Sequence, residues 1–416
     1  MAEARANEPH AIFFVNGFNR GSFEVAQYRG IDRIGAPYRF DIVLKSGDDA
    51  LEPGDLLNTR ASLLLYRDGE YYPYSGIISA FTFTDRSTDY STYVARLVPA
   101  VWLLSLHVRS RVFQKSTIPD IVRRVLDEAG LLQSCEFDLS ATYPEREFVV
   151  QYEESDLNFV SRLMESRGIS FFFREPPRAA DELDGRPGTE TLVVTDKPDS
   201  FAAIDGASTV LYRARSGLHE RNDDELRETV HALRLKKRVA PEEVLVKSYN
   251  YRTPEVKLTG SKKVAEGRAG SVYEYGGDFR DSDGAQRAAD LLSRRCLLQQ
   301  GCLHGRGTCT GFRAGRRFTL SEHTRKGLNT TYLIAAVAHQ GTQARAFGDE
   351  AALSYENRFS ALTGEPAQHY VPPRRTPRPR LSGIVTAPIE ANGSEYASLD
   401  DRGRYKVRLP FDLSDS

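Results

Sequence analysis

The sequence predicts a β-rich α+β protein of several domains. At 416 residues the chain exceeds one ordinary hydrophobic core, and it suits a few domains of ~100 to 200 residues each. The first hundred residues alternate apolar and polar side chains and are interrupted by turns, which is typical of strands. A segment with helical periodicity follows, and a second long β-rich region comes after it.

The first β region contains six predicted strands. Between the fourth and the fifth, Asp68-Gly69 indicates a tight hairpin, because glycine adopts positive φ without steric cost. The predicted strands are Ile12–Val15, Phe23–Tyr28, Tyr38–Leu44, Ser62–Tyr66, Ser75–Thr84 and Thr92–Val98.

The next hundred residues predict an α/β insert. A helix is expected from Thr117, a suitable N-cap, with apolar positions at helical spacing and Gly130 past its end. A second helix is expected from about Ser155 to Gly168, followed by a buried strand over Ile169–Phe173.

The second β region carries seven predicted strands and one helix. The helix covers about Asp283–Gln299 and places Cys296 on its apolar face. The strands are Leu192–Thr195, Val210–Arg213, Val230–Val239, Val244–Tyr251, Arg316–Leu320, Tyr332–His339 and Ala351–Phe359.

Residues 371–380 predict a stiff, extended linker, since they combine prolines with cationic side chains. Beyond it, three short strands are expected over Leu381–Thr386, Glu395–Leu399 and Arg404–Leu409. Three strands rarely form a stable unit, so this sheet is expected to be incomplete at Ser416.

Bulk composition excludes several classes of protein. The 56 basic and 57 acidic side chains give a net charge of -1, which argues against nucleic acid as a partner. The four cysteines are too few to staple the chain, so a reducing compartment is expected. No signal peptide is expected, since the first residues contain no apolar core of the required length, and no apolar run has the length of a membrane span.

Eight stretches of sequence, in order, resemble VgrG spike proteins of type VI secretion systems. They are Tyr38–Phe40, Leu97–Leu106, Arg111–Gln114, Pro119–Leu126, Gln151–Glu165, Tyr249–Pro254, Gly315–Leu320 and Gly403–Asp412. The resemblance implies a hub like that of contractile phage baseplates, with two β-barrel domains and the start of an OB-fold. The implied divisions are residues 8–105 for the first barrel region, 106–205 for the insert, 206–370 for the second barrel region, 371–380 for the linker and 381–416 for the incomplete OB-fold.

The same resemblance implies partners and a location. The expected assembly is a homotrimer that docks on an Hcp-type hexameric tube and on baseplate proteins. A PAAR-type tip protein and effectors would be carried through a C-terminal part beyond residue 416. Assembly would occur in the bacterial cytoplasm, followed by ejection to the extracellular space or a target cell.

The sequence predicts no catalytic, cofactor or metal residues, because the common nucleophile, phosphate-loop and metalloprotease motifs are absent. One set of possible metal ligands is present: Cys296, Cys302, His304 and Cys309. Their spacing is unlike that of structural zinc sites, so packed, reduced thiols are expected.

Other polar residues that could suggest chemistry have structural explanations. Glu153, Glu154 and Asp156 lie where carboxylates favour a helix N-terminus, and Trp102 lies in an apolar run that predicts a core position. Lys262, Lys263 and the linker arginines indicate solvated surface. Only His219 with Glu220 and His323 with Glu322 suggest local histidine pairing.

Three function classes remain open from the sequence. The first is the spike hub of a type VI secretion system, a structural protein and not an enzyme. The second is the equivalent hub of a phage tail or an extracellular injection particle. The third is an enzyme, through a cryptic site or a C-terminal effector domain.

Overall fold

The computed structural model describes residues 10–214, 228–343, 354–390 and 399–412. The chain divides into two compact units. Unit 1 comprises Met1–Ala100, Ser134–Ser140 and Gly168–Pro373, and unit 2 comprises Val101–Gln133, Ala141–Arg167 and Arg374–Ser416.

The described residues form strands and four helices in the following chain order. The first part holds β1 Ala11–Val15, β2 Glu24–Arg33, β3 Ala36–Ser46, β4 Arg60–Arg67, β5 Glu70–Arg86, β6 Ser91–Val98, β7 Val108–Ser116, α1 Ile118–Glu128, β8 Cys135–Asp138, β9 Arg146–Ser155, α2 Asp156–Arg167 and β10 Ser170–Arg174. The second part holds β11 Arg178–Ala179, β12 Thr191–Thr195, β13 Thr209–Tyr212, β14 Thr229–Lys237, β15 Glu243–Ser248, β16 Leu258–Lys263, β17 Ser271–Tyr275, α3 Ser282–Gln300, β18 Gly301–Gly307, β19 Arg317–Ser321, β20 Thr331–Thr342, β21 Ser354–Leu362 and α4 Glu365–Gln368.

The first six strands curl into a barrel-like sheet, which we call barrel 1. Their order is β1-β4-β5-β6-β3-β2, and β1 returns to contact β2. β1 is apolar throughout because both of its faces are covered. Phe13 is buried, and Phe14 on the other face belongs to a small cluster with Leu64 and Leu183.

The predicted hairpin at Asp68-Gly69 is confirmed. Arg67 pairs with Glu70, and both turn residues have positive φ, 49° and 95°. This combination is the primed turn whose twist matches that of the flanking strands.

At Gly76 in β5, another part of the backbone approaches so closely that no side chain fits. A Cβ built there would lie 2.0 Å from the carbonyl oxygen of Val98. We therefore expect Gly76→Ala to destabilise unit 1 by about 1 to 3 kcal/mol, since the strands must separate. Chemical denaturation measures the loss. Gly54→Ala is the matched control, because its Cβ would meet no atom within 4 Å; equal stability of the two variants would refute the close approach.

A second, closed barrel follows, which we call barrel 2. Six strands, β20-β19-β13-β14-β18-β21, close when β21 pairs again with β20. The interior is aromatic, and Phe318 packs against Phe312, Tyr332 and Phe359. β2 pairs with β20 from Gln27 to Arg33, so the two barrels share one continuous sheet of thirteen strands in the described part of the chain.

Two smaller sheets complete unit 1. β10, β12 and β8 form one of them, with Phe172 and Val193 buried. β16, β15 and β17 form the other and pack on α3, whose buried face includes Ala285, Ala289 and Cys296. The helix expected at Asp283–Gln299 is therefore present, whereas β16, β17 and β18 were not predicted.

Unit 2 contains α1, α2 and the antiparallel pair β7 and β9. α1 begins as predicted, with the Thr117 hydroxyl accepting from the Asp120 amide at 3.2 Å. α2 packs on the pair through Phe159, whose ring stacks on Phe113 at 5.3 Å. The strands β7 and β9 are unpredicted elements, because their apolar side chains are few and partly exposed.

The segment after the linker differs from the expectation. Leu381–Thr386 contains no strand, and only isolated bridges link Ile389 to Val407 and Leu399 to Tyr405 in the described residues. Residues 391–398, which include most of the second expected strand, lie outside the described part. Among the described residues of this segment, short strands joined only by isolated bridges lack a sheet face to bury.

The described residues include no helix with the length and apolar character needed to cross a bilayer. The overall architecture, a β-rich fold with few helices and a closed six-stranded barrel, agrees with the predicted fold class.

Candidate functional site

The cysteines and His304 singled out by the sequence do not converge. Cys296 lies on the buried face of α3, while Cys302 and the exposed His304 lie on β18. Cys309 is fully buried, its thiol lies 3.0 Å from Oε2 of Glu228, and burial raises the thiol pKa well above its usual range. Within the described ranges, no three His, Cys, Asp or Glu side chains are placed to hold a metal.

The acidic cluster lies at the start of α2, as expected, with Asp156 in the first turn of the helix, but two of its carboxylates also form ion pairs. Ser155 caps the helix, since its hydroxyl accepts from the Asn158 amide at 3.2 Å. Asp156 pairs with Arg111 at 3.2 Å, and Glu154 pairs with Arg162 at 2.6 Å. Both carboxylates are buried, and these ion pairs tie α2 to β7 and β9.

Glu153, the third member of that cluster, stands apart from the ion pairs. It is exposed, and its amide donates to Ser110 Oγ at 3.0 Å. Its φ of 44° marks an irregularity in β9 just before the helix.

The histidine pairs and the lone tryptophan also differ from the expectation. Glu322 pairs with Arg213 and not with His323, whose Nδ1 accepts from the Arg325 amide at 2.9 Å. His219 and Glu220 lie outside the described residues. Trp102 is half-buried in a short 3₁₀ helix, so it is not the core anchor that the apolar run predicted.

The basic residues considered as a surface patch do not form one surface, and several of them contact nearby acidic residues. Lys262 lies 3.5 Å from Asp290, and Lys263 is exposed on β16. In the linker, the amides of Arg375 and Thr376 both donate to Glu165 on α2, at 2.9 and 3.0 Å. The linker is therefore hydrogen-bonded to a helix of its own unit.

A cluster of buried charged and aromatic side chains lies where barrel 1 meets barrel 2 in unit 1, and the sequence analysis did not identify it. We call it the junction cluster, comprising Asp32, Tyr38, Tyr74, Glu175 and Arg313. Asp32 comes from β2, the two tyrosines from β3 and β5, Glu175 from the end of β10, and Arg313 from the turn before β19. All five side chains are buried.

Arg313 is the centre of this cluster. Its guanidinium lies over the Tyr74 ring, 4.0 Å from the centroid. Asp32 accepts from the Ala314 amide at 3.0 Å, and Glu175 accepts from Ser75 Oγ at 2.7 Å. In the described structure Nε and Nη2 of Arg313 have no hydrogen-bond partner, so the guanidinium is held mainly by the surrounding charges and the ring.

Burial dominates the electrostatics of the two carboxyl groups. It raises the pKa of Asp32 to about 6, although the Ala314 amide and Arg313 oppose the shift. It also raises the pKa of Glu175 above its usual value, against Ser75 and Arg313.

A second polar contact crosses the same junction. His339 on β20 contacts the Tyr74 hydroxyl through Nε2 at 3.1 Å and the Tyr355 hydroxyl through Nδ1 at 2.7 Å. Burial lowers the His339 pKa to about 3, so the ring is neutral at physiological pH. It can therefore bridge the two hydroxyls as donor and acceptor.

Raised carboxyl pKa values and a buried arginine can mark an active site, but they also occur in purely structural clusters. The junction cluster must therefore be tested for space to hold a substrate. The space enclosed by Asp32, Glu175 and Arg313 is too small to hold a water molecule, and a substrate is larger than water. We therefore interpret the arrangement as a packing contact between the two barrels. The local sequence offers no signal for it, because Asp32 is followed by Arg33 and Arg313 stands close to Arg316 and Arg317, as charged residues at a protein surface often do.

A comparison with family models matches residues 31–345 to the phage tail baseplate hub (GPD) family. The type VI secretion system spike protein VgrG4b of Pseudomonas aeruginosa is 30% identical over 98% of this chain and 50% of its own length. The actin cross-linking toxin VgrG1 of Vibrio cholerae is 28% identical over 90% of this chain and 33% of its own length. The chain thus spans between a third and a half of these two relatives.

Among solved structures, the E. coli c3393 protein superposes with a TM-score of 0.71 at 24% identity, covering 96% of this chain and 89% of that one. It is described as a component of the type VI secretion system with structural similarity to the T4 bacteriophage tail proteins gp27 and gp5. The predicted resemblance to VgrG proteins is confirmed by these matches.

Proposed function

Because the chain belongs to the phage tail baseplate hub family, we propose that it forms the hub of a type VI secretion spike. In this role it would assemble as a homotrimer, seat an Hcp-type hexameric tube and support the delivery of effectors. The names of its VgrG relatives support this proposal over other members of the family.

The observation that carries the proposal is the pair of six-stranded barrels in one chain, joined through β2 and β20. Three chains with two barrels each would present six similar faces, which matches a three-fold hub to a six-fold tube. The β4–β5 pair of barrel 1 and the β19–β20 pair of barrel 2 are both antiparallel. This agrees with the faint sequence similarity between these two segments. A closed ring would also cover sheet edges that otherwise invite uncontrolled pairing.

The finer parts of the proposal follow from the resemblance. We infer a structural role without catalysis for these residues, contacts with baseplate proteins, and a tip protein and effectors carried by the C-terminal part. The domain boundaries at residues 105, 205, 370 and 380 belong to the proposal as well. Limited proteolysis with mass spectrometry of the fragments tests them. Assembly in the cytoplasm and subsequent ejection complete the inferred cycle.

We expect weak, concentration-dependent trimers from the chain of 416 residues, and firm ones when a trimeric coiled coil is fused after Ser416. The physical reason is effective concentration, because a fused trimer holds three hubs together. Light scattering measures the mass. The fused trimer should also bind a purified Hcp-type hexamer, with one trimer per ring.

The same fusion carrying an unrelated monomeric domain is the control for the coiled coil. A fused hub that shows no affinity for any Hcp-type hexamer would contradict the secretion role. Binding to a phage tail tube protein in its place would favour a phage or particle hub. The third class, an enzyme, would need hydrolytic or toxin activity from these residues alone.

A further inference from the structure

One face of the continuous sheet in unit 1 carries an unusual set of arginines. Strand register places Arg306 opposite Arg358, and Arg234 opposite His304. On the neighbouring strands of the same sheet, Arg29 and Arg33 come from β2, and Arg39 comes from β3. We call this surface the arginine face, defined by these six arginines.

The arginine face points away from the barrel core. Leu233, Leu303 and Phe359 alternate with its residues along β14, β18 and β21, and all three pack in the core of barrel 2. Since successive side chains on a strand point to opposite sides, the arginines project outward. Arg29, Arg39, Arg234, Arg306 and Arg358 are exposed, and Arg33 is half-buried.

The positive charge of this face is only partly neutralised. Glu356 lies 3.7 Å from Arg306 and 3.6 Å from Arg358, and Asp41 lies 3.6 Å from Arg39. Arg29, Arg33 and Arg234 form no ion pair with any residue that the structure describes. Asp41 is shared with Arg96 on β6, at 2.7 Å, so seven arginines in the described residues face two carboxylates and leave five uncompensated positive charges, on a chain whose net charge is -1.

Directly opposite like charges, such as Arg306 and Arg358, weaken a sheet, and the single carboxylate of Glu356 shared between them offsets only part of this repulsion. The arginines repel one another, and the chain is nearly neutral overall. We therefore expect this concentration of positive charge to bind an anionic partner.

The part of the face around Arg234, Arg306 and Arg358 is concave. A groove of about 500 Å³ runs over it, and its lining includes the small side chains of Ala232, Ala336 and Ala338 together with Arg234, Arg306 and Arg358. The groove therefore combines a methyl-lined surface with guanidinium groups, which suits a narrow chain that carries negative charges.

We propose that the arginine face binds an acidic segment of another protein in an extended conformation. Positions two apart on a strand are about 7 Å apart, the same spacing as alternate side chains of an extended peptide. Guanidinium groups also match carboxylates in geometry and can bind them with two hydrogen bonds. This binding does not require trimerisation, because each protomer carries the whole face.

Single-stranded nucleic acid is the less favoured anion. Proteins that bind it usually present aromatic side chains for base stacking. The outward positions of the arginine face carry no Phe, Tyr or Trp in the described residues; its neighbours are alanine, serine, glutamine, isoleucine and histidine.

The test is fluorescence anisotropy with the full chain and a short labelled peptide of alternating glutamate and serine. The same peptide with glutamine in place of glutamate, and an oligothymidylate of equal charge, are the comparison ligands. We expect the acidic peptide to bind at least about tenfold more tightly than either, and its affinity to fall with added salt. Equal binding of the glutamine peptide, or tighter binding of the oligonucleotide, would overturn the proposal.

Variants locate the site. Arg33→Glu with Arg234→Glu is expected to weaken peptide binding by about tenfold or more, whereas Arg20→Glu, an exposed arginine elsewhere in unit 1, should leave it unchanged. Arg306→Gln adds a second readout, since it should weaken binding while changing the melting temperature little, because it removes both the Arg306–Arg358 repulsion and the exposed Arg306–Glu356 ion pair. Unchanged binding in both face variants would show that the peptide binds elsewhere.

Discussion

Replacing Arg313 by methionine is expected to lower the free energy of unfolding by about 3 to 5 kcal/mol at neutral pH. The guanidinium is buried between barrel 1 and barrel 2, close to Asp32 and Glu175. Methionine fills a similar volume but leaves those two carboxyl groups without a counter-charge. Chemical denaturation followed by intrinsic fluorescence measures the loss.

Two controls separate lost charge from lost volume. Arg325→Met removes an exposed arginine beyond β19 and should have little effect. Adding Asp32→Asn and Glu175→Gln to Arg313→Met should restore much of the stability, because a neutral cluster carries no unpaired buried charge. A loss below about 1 kcal/mol in Arg313→Met alone would contradict the junction role of Arg313.

Local sequence patterns located the strands of barrel 1 and the three longer helices well. The period-two pattern of β3 and β6, the primed turn at Asp68-Gly69 and the Thr117 cap are each specified by neighbouring residues. The strands β7, β9, β16 and β17 were missed, because each is short of apolar side chains and gains its order from a partner elsewhere in the chain.

The pairing of β2 with β20 could not be predicted from local sequence, because it joins residues more than three hundred positions apart. The junction cluster depends on the same long-range contact. Asp32 and Arg313 are ordinary polar residues in their own segments, and they acquire a special environment only when the two barrels meet. The arginine face was missed for the same reason, since its members come from five different strands.

The two barrels and the junction cluster are linked in the proposed hub. If six barrel faces must meet a six-fold tube, the angle between the two barrels of one chain has to be fixed. Hydrophobic contact alone tolerates small shifts, whereas directed contacts such as Asp32 to the Ala314 amide, and Tyr74 to His339, specify one arrangement. The free-energy cost of burying these charges is consistent with a role in setting the angle between the two barrels.

Asp32 is expected to make a contribution to the stability of unit 1 that falls as the pH rises from about 4 to about 7, opposite in direction to the contribution of the buried, neutral His339. Its folded pKa, about 6, lies above the ordinary value of 3.8. Below that ordinary value the carboxyl group is protonated in both states, so its contribution is complete. As the pH rises, the unfolded state ionises first, and the contribution is lost through pH 6. The difference between the folded and the ordinary pKa of Asp32 corresponds to a loss of about 3 kcal/mol in the free energy of unfolding.

Asp32→Asn isolates this contribution, because the amide oxygen can still accept from the Ala314 amide and never ionises. The variant should match the wild type near pH 4 and exceed its stability by roughly 3 kcal/mol near pH 7.5, as measured by urea denaturation at both values. Asp48→Asn, at an exposed turn whose side chain caps the Ala50 amide, is the matched control and should track the wild type at both. A constant difference between Asp32→Asn and wild type across this range would mean that Asp32 ionises normally in the folded protein, and the buried environment assigned to it at the junction would then be wrong.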